Sequence, residues 1–203
     1  LDTCTVAEDG SFSLQVKNSE TIQAQLDLGY YTGIIYVEKG KNYSINLPER
    51  KDVSAREKSN PYFKPQTLLL SFNNLSQDDI NIKIADFEDC FDSIWVDINK
   101  NIVTPERIDS AMNILDEKFP SENQFFSEYK HYRYALLVNL YSPLSPKLAI
   151  KTFFLPYKVK YNQPAFWESF EAIFTGFNMS DYLKENEEIL KSNSSNVTWG
   201  NVE

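Results

Sequence analysis

The sequence predicts an α+β protein: a small antiparallel β-sandwich followed by an α-helical domain of about six helices. Three observations carry this. The first fifty residues alternate apolar and polar side chains with a period of two, the pattern of half-buried strands. From Asp78 onward apolar residues recur at spacings of three and four, the pattern of a helix with one buried stripe. Between them lies a charged, proline-ended run, Arg50 to Pro61. Strands followed by helices, rather than strands alternating with them, indicate α+β or two domains. The expected division is 1–49 for the β region, 50–66 for a linker or long surface loop, 67–192 for the helical domain and 193–203 for a loose tail.

Five short strands are expected at about ten-residue spacing. Thr3–Val6 and Ser11–Val16 flank the turn dipeptide Asp9-Gly10, a strong hairpin signal. Thr21–Leu28 alternates through Ile22, Ala24, Leu26 and Leu28. The two remaining strands lie within Gly33–Pro48 and are joined at Glu38–Lys41, where Gly40 supplies the positive φ of a turn. Pro48 stops the second of them. Phe63–Phe72 is apolar enough for a last strand or a packed connection, and periodicity alone leaves both open.

The clearest helix is expected from Asp78 to Asn99, with Ile80, Ile84, Phe87, Phe91, Ile94, Trp95 and Ile98 along one face. Thr104-Pro105 opens a second, with Thr as N-cap and Pro in the first turn. Ser121 and Gln124 form a capping-box pattern for a third. Ser145-Pro146 and Gln163-Pro164 open a fourth and a fifth, and Ser180–Leu190 is a weak, acidic sixth.

Composition narrows the partners. The net charge is −9, which disfavours a nucleic-acid backbone or an anionic membrane surface, because both need a basic footprint. There is no apolar run of the length a transmembrane helix requires. The chain opens abruptly on Leu1-Asp2-Thr3, suggesting a processed or trimmed leader. Cys4 and Cys90 are far apart and form no CxxC pair. Zinc ligation and thioredoxin-type chemistry are therefore not expected. The two are read as small buried side chains, with a disulfide as the other option.

Candidate chemistry is sparse. The single histidine, His131, lies off the apolar stripe of its helix and reads as a surface or interface residue. Asp86, Glu88, Asp89 and Asp92 cluster on the polar side of the first long helix, as a solvated face does. Asp97–Asn101 imitates the start of a calcium loop, but Ile102 stands where glycine is needed and Ile108 where glutamate is. No phosphate-binding, nucleophile-elbow or zinc-protease motif occurs. No catalytic residue, metal or cofactor is expected. Asparagine sequons stand at Asn42, Asn74, Asn178, Asn193 and Asn196. The candidate ligand or partner surface is aromatic: Tyr30, Tyr31 and Tyr36, since half-exposed rings bind sugars and peptides.

The runs Glu8–Leu14, Leu28-Gly29 and Ile35–Ile45, together with Tyr161–Trp167, resemble the N-terminal region of secreted proteins and lipoproteins of Bacteroidetes. In these a small β-sandwich precedes a helical segment and, often, a TlpA-type thioredoxin-like domain. The likeness implies a periplasmic or cell-surface location and an accessory or binding role. No CxxC follows residue 190 and no lipobox precedes Cys4, so the disulfide-reductase activity does not carry over. The expectation is a non-enzymatic extracytoplasmic interaction module. The alternative is a carbohydrate- or peptide-binding surface protein using exposed aromatic residues.

Overall fold

The computed structural model describes residues 3–49, 51–73, 75–141 and 146–175. It is a mixed α+β structure with five short strands and six helices among those residues. The chain divides into two compact units, Leu1–Phe91 with Ser121–Phe126, and Asp92–Pro120 with Ser127–Glu203. This division differs from the one read from composition. It falls within two long helices rather than in the charged run.

The first unit holds the strands. β1 (Ile22–Asp27) pairs antiparallel with β2 (Tyr31–Val37), and β2 pairs parallel with β4 (Gln66–Leu69). β3 (Ser44–Asn46) pairs antiparallel with β5 (Ser71–Asn73) in a second, two-stranded sheet. Two expectations are corrected here. The strands of Gly33–Pro48 do not form a hairpin with each other. Their turn is present, with Lys41 N–H donating to Glu38 C=O and Gly40 at φ 75°. But both edges of β2 are occupied, by β1 and β4, so β3 joins the other sheet. The sheet is also not wholly antiparallel. A parallel pair needs a crossover of a dozen or more residues, and 38–65, which includes β3 and the short helix α1 (Ala55–Lys58), supplies it. A Cβ at Gly33 would lie 2.6 Å from Leu70 Cδ2. Glycine thus lets the residue between β4 and β5 pack onto β2.

The strands expected at Thr3–Val6 and Ser11–Val16 do not form. Their turn does: Ala7 N–H donates to Ser11 C=O, and Gly10 N–H to Ala7 C=O. Residues 11–18 also keep the expected alternation, with Phe12, Leu14 and Val16 half-buried and Ser11, Ser13, Gln15 and Lys17 exposed. What is missing is a ladder partner. The charged run is not featureless either. Ser54 and Glu57 make a capping box at the start of α1.

α2 (Ile80–Asn99) begins in the first unit and carries the predicted stripe, with Ile80, Ile84, Phe87, Phe91 and Ile98 buried. Its N-cap is Asp79, whose Oδ1 accepts from the N–H of Asn81 at 2.9 Å. Phe87, Phe91 and Phe126 form the aromatic part of the first unit's core.

The second unit is helical. α3 (Pro105–Lys118) is capped by Thr104, as predicted, and buries Ile108, Ala111 and Leu115. α4 (Gln124–Tyr141) is capped not by Ser121 but by Asn123, whose Oδ1 accepts from Phe126 N–H at 3.1 Å. Ser121 Oγ instead accepts from Asn123 N–H. α4 buries residues on several faces, from Tyr129 and Tyr132 to Tyr134, Ala135 and Leu137, as a central helix does. α6 (Pro164–Thr175) follows its predicted start, whereas α5 (Lys147–Phe153) begins one residue later than expected, with Pro146 at the N-cap and no side-chain cap bond. Ser169 Oγ on α6 donates to Tyr132 C=O on α4 at 2.6 Å. The helix expected at Ser180–Leu190 and the Ser145 cap lie outside the described residues.

Cys4 is exposed and Cys90 half-buried, and no disulfide joins them. Cys4 is therefore not a core residue: it lies in the segment that makes no ladder.

Candidate functional site

The three tyrosines singled out by the sequence have different environments. Tyr36 is 9% exposed and belongs to the core of the first unit. Its hydroxyl accepts from Gln23 Nε2 at 3.2 Å, and its ring packs edge-on against Phe125. Its backbone N–H donates to Asn81 Oδ1 at 2.7 Å, while Asn81 Nδ2 donates to its carbonyl at 2.9 Å. Its side chain is buried within the first unit. Tyr30 and Tyr31 are half-buried and pack edge to face, with centroids 5.1 Å apart. Tyr30 also meets Phe63 at 6.0 Å. Lys51 Nζ sits 3.7 Å above the Tyr30 ring, a cation–π contact. One face of Tyr30 is thereby filled by a side chain of its own chain. The structure brings Tyr30 and Tyr31 together and sets Tyr36 apart from them.

A second aromatic group lies in the second unit, on the connection from α5 to α6 and the first turns of α6. Leu155 is 74% exposed, Tyr161 77% and Trp167 43%. Tyr157, Val159 and Phe170 are also exposed. The Tyr161 and Trp167 rings lie 6.1 Å apart, and Trp167 Nε1–H donates to Tyr161 C=O at 3.1 Å. That bond fixes the indole relative to the loop. Beneath it, Phe166 packs against Trp167 at 5.0 Å and Phe170 stacks on Phe174 at 4.2 Å. The exposed rings thus continue into a stack that reaches the buried Phe166. Lys160 is tied to Glu128 at 2.6 Å, which holds the polar side of the connection onto α4.

Aromatic side chains crowd the start of α6, at Phe166, Trp167 and Phe170. Phe166 and Trp167 are adjacent, however, and neighbours in a helix do not share a face. Ile173 and Phe166 are buried, so Trp167 is turned outward. That adjacency, and the alternation of Tyr157, Val159 and Tyr161 with two lysines, were the available signals.

His131 is not a surface residue. Its ring stands among Tyr132, Phe153 and Tyr157, with centroids 5.0, 4.9 and 4.6 Å away. Nε2 lies 3.2 Å from Phe153 C=O, which requires the proton on Nε2 in the neutral ring. Burial lowers its pKa below the ordinary histidine value.

Lys130, one residue earlier, is 8% exposed. Its ammonium meets Asp116 Oδ1 at 2.6 Å and donates to Phe119 C=O at 3.0 Å. Tyr134 donates to the same carboxylate oxygen at 2.9 Å. Burial first, and this hydrogen bond second, push the Tyr134 phenol up. The cluster ties α4 to the end of α3. Asp97 accepts from Arg107 at 2.9 Å, and Asn101 Nδ2 donates to Asp97 C=O. The calcium-like run is thus a helix end closed by its own side chains. Asp86, Asp89 and Asp92 are exposed. Among the described residues, no group of three His, Cys, Asp or Glu side chains is placed to hold a metal. No helix among them is long and apolar enough to cross a membrane. Asn42 is exposed at the β2–β3 turn, and the other four sequons lie outside the described residues.

Comparison with protein-family models, with curated proteins and with solved structures found no match.

Proposed function

We propose that this chain is a non-enzymatic interaction module of a cell-envelope protein, working by association with another protein chain. The observation that carries the reading is the solvent-facing row of Leu155, Tyr157, Val159, Tyr161 and Trp167. Exposed apolar side chains gathered on one connection mark sites of association when they form a continuous patch, and Tyr and Trp dominate the energetics of such sites. The extracytoplasmic location, and an accessory role beside a thioredoxin-like domain, rest on the resemblance of Ile35–Ile45 and Tyr161–Trp167 to the Bacteroidetes envelope proteins. In the same reading, the sheets β1–β2–β4 and β3–β5 are the halves of a small β-sandwich, joined through Leu70.

A second reading has its own support. Tyr161 and Trp167 present two exposed rings held by the indole hydrogen bond, and exposed rings also stack on sugars or on peptide side chains. A photo-crosslinking residue at position 161 separates the two. Incubated with envelope proteins of a Bacteroidetes cell, it is expected to give a discrete protein adduct that Trp167→Ala abolishes. Quenching of Trp167 fluorescence by soluble glycans, with no protein adduct, would favour sugar binding. Neither response would remove the basis of both readings.

A further inference from the structure

In the first unit β1 is an edge strand, and the segment before it makes no ladder. β1 has β2 on one side only. Immediately before it, residues 12–17 alternate in burial, yet among the described residues they make no backbone–backbone hydrogen bond. The two segments are complementary in an antiparallel register. With Val16 opposite Ile22, Leu14 falls opposite Ala24 and Phe12 opposite Leu26, so apolar meets apolar on one face. On the other face Gln15 meets Gln23 and Ser13 meets Gln25, with no like charges opposed. The register also puts Ser11 beside Asp27 and Lys17 beside Thr21.

These edges do not close on each other within the chain. The turn between them is held differently: Asn18 Nδ2 donates to Glu20 C=O at 2.9 Å and to Val37 C=O at 3.0 Å. The amide anchors the turn to the end of β2, and among the described residues the arm makes no ladder with β1. Unpaired edges recruit strands, and exchange of an identical element between two copies satisfies both at little cost. The geometry points to a second copy of this chain as the occupant. The arm 11–17 of one protomer adds to the β1 edge of the other, and the reverse, about a two-fold axis.

The test uses the full chain with Cys4→Ser, so that the exposed native thiol takes no part. Two double variants are made at successive register positions, Ser13→Cys with Gln25→Cys and Leu14→Cys with Ala24→Cys. Ser13 and Gln25 are exposed, and Leu14 and Ala24 are half-buried. Opposed antiparallel residues alternate between wide and close pairs, so one of the two variants has geometry suited to a disulfide. Under mild oxidation the expected product runs at twice the monomer mass on a non-reducing gel and reverts on reduction. Gln15→Pro in place of the cysteine pair is expected to shift the protein from dimer to monomer in sedimentation, with an unchanged far-ultraviolet spectrum. A monomer with an internal disulfide means that the arm zips onto its own β1, and overturns the proposal. Free thiols in both variants overturn it equally.

Discussion

At Tyr36 the backbone of β2 has passed the end of β4, whose last partner is Ile34. The Asn81 side chain takes over there. Its amide accepts from Tyr36 N–H and donates to Tyr36 C=O, as a further strand residue would. Asn81 Nδ2 and backbone N–H both also reach Asp79 Oδ1, at 2.9 Å. One buried amide therefore ties the start of α2 to β2. Asn81→Ala strips two buried backbone groups of these partners, and an unsatisfied buried group costs about 1–3 kcal/mol. The expected result is a lower urea midpoint with an unchanged m-value. Asn81→Asp should be worse, because it removes both donors and sets a carboxylate against Asp79. A change within about 0.5 kcal/mol, the range of neutral surface substitutions, would show that the amide is dispensable.

The elements form by local rules where local rules suffice. Thr104-Pro105 is legible because a cap and a fixed φ act within one turn; Thr104 Oγ1 accepts from Arg107 N–H as expected. Thr104→Ala should cost about 1 kcal/mol, read as a lower thermal midpoint. Thr104→Ser should restore most of it, and equal stability of the Ala variant would deny the cap its role. The α2 stripe was legible for the same reason of short range: a 3.6-residue period needs no distant partner. The pairing of Gly33–Pro48 was not. Both strands could be read from alternation, but which edge accepts β3 depends on β4, some twenty residues further on. Residues 11–17 show the same limit, since alternation identifies a strand without naming its partner. Among the candidate site residues, aromatic character was legible and exposure was not. Tyr36 points inward because β2 is covered on that face by Phe125, whereas Tyr161 lies in a connection that nothing in its own sequence buries.

For the molecule as a whole, the one histidine contributes to how stability changes with pH near neutrality. The chain carries 29 acidic and 20 basic side chains, and its surface ion pairs are each worth little. His131 is different because it is enclosed by Tyr132, Phe153 and Tyr157. Burial disfavours the imidazolium, while the Phe153 carbonyl and, more weakly, Glu128 favour it; the balance lowers the folded pKa. The unfolded chain then takes up its proton first, at about pH 6.5. The stability that the neutral ring contributes is fully present above that value and is lost as pH falls through the folded pKa. The thermal midpoint should therefore drop between pH 7.5 and 5.5. His131→Gln keeps a neutral donor for Phe153 C=O and titrates nothing, so its midpoint should change less over the same interval. The difference between the two proteins isolates the histidine, because the carboxylates and the net charge change alike in both. Parallel pH curves would mean that the ring is solvated when protonated, and that the enclosure opens at no cost.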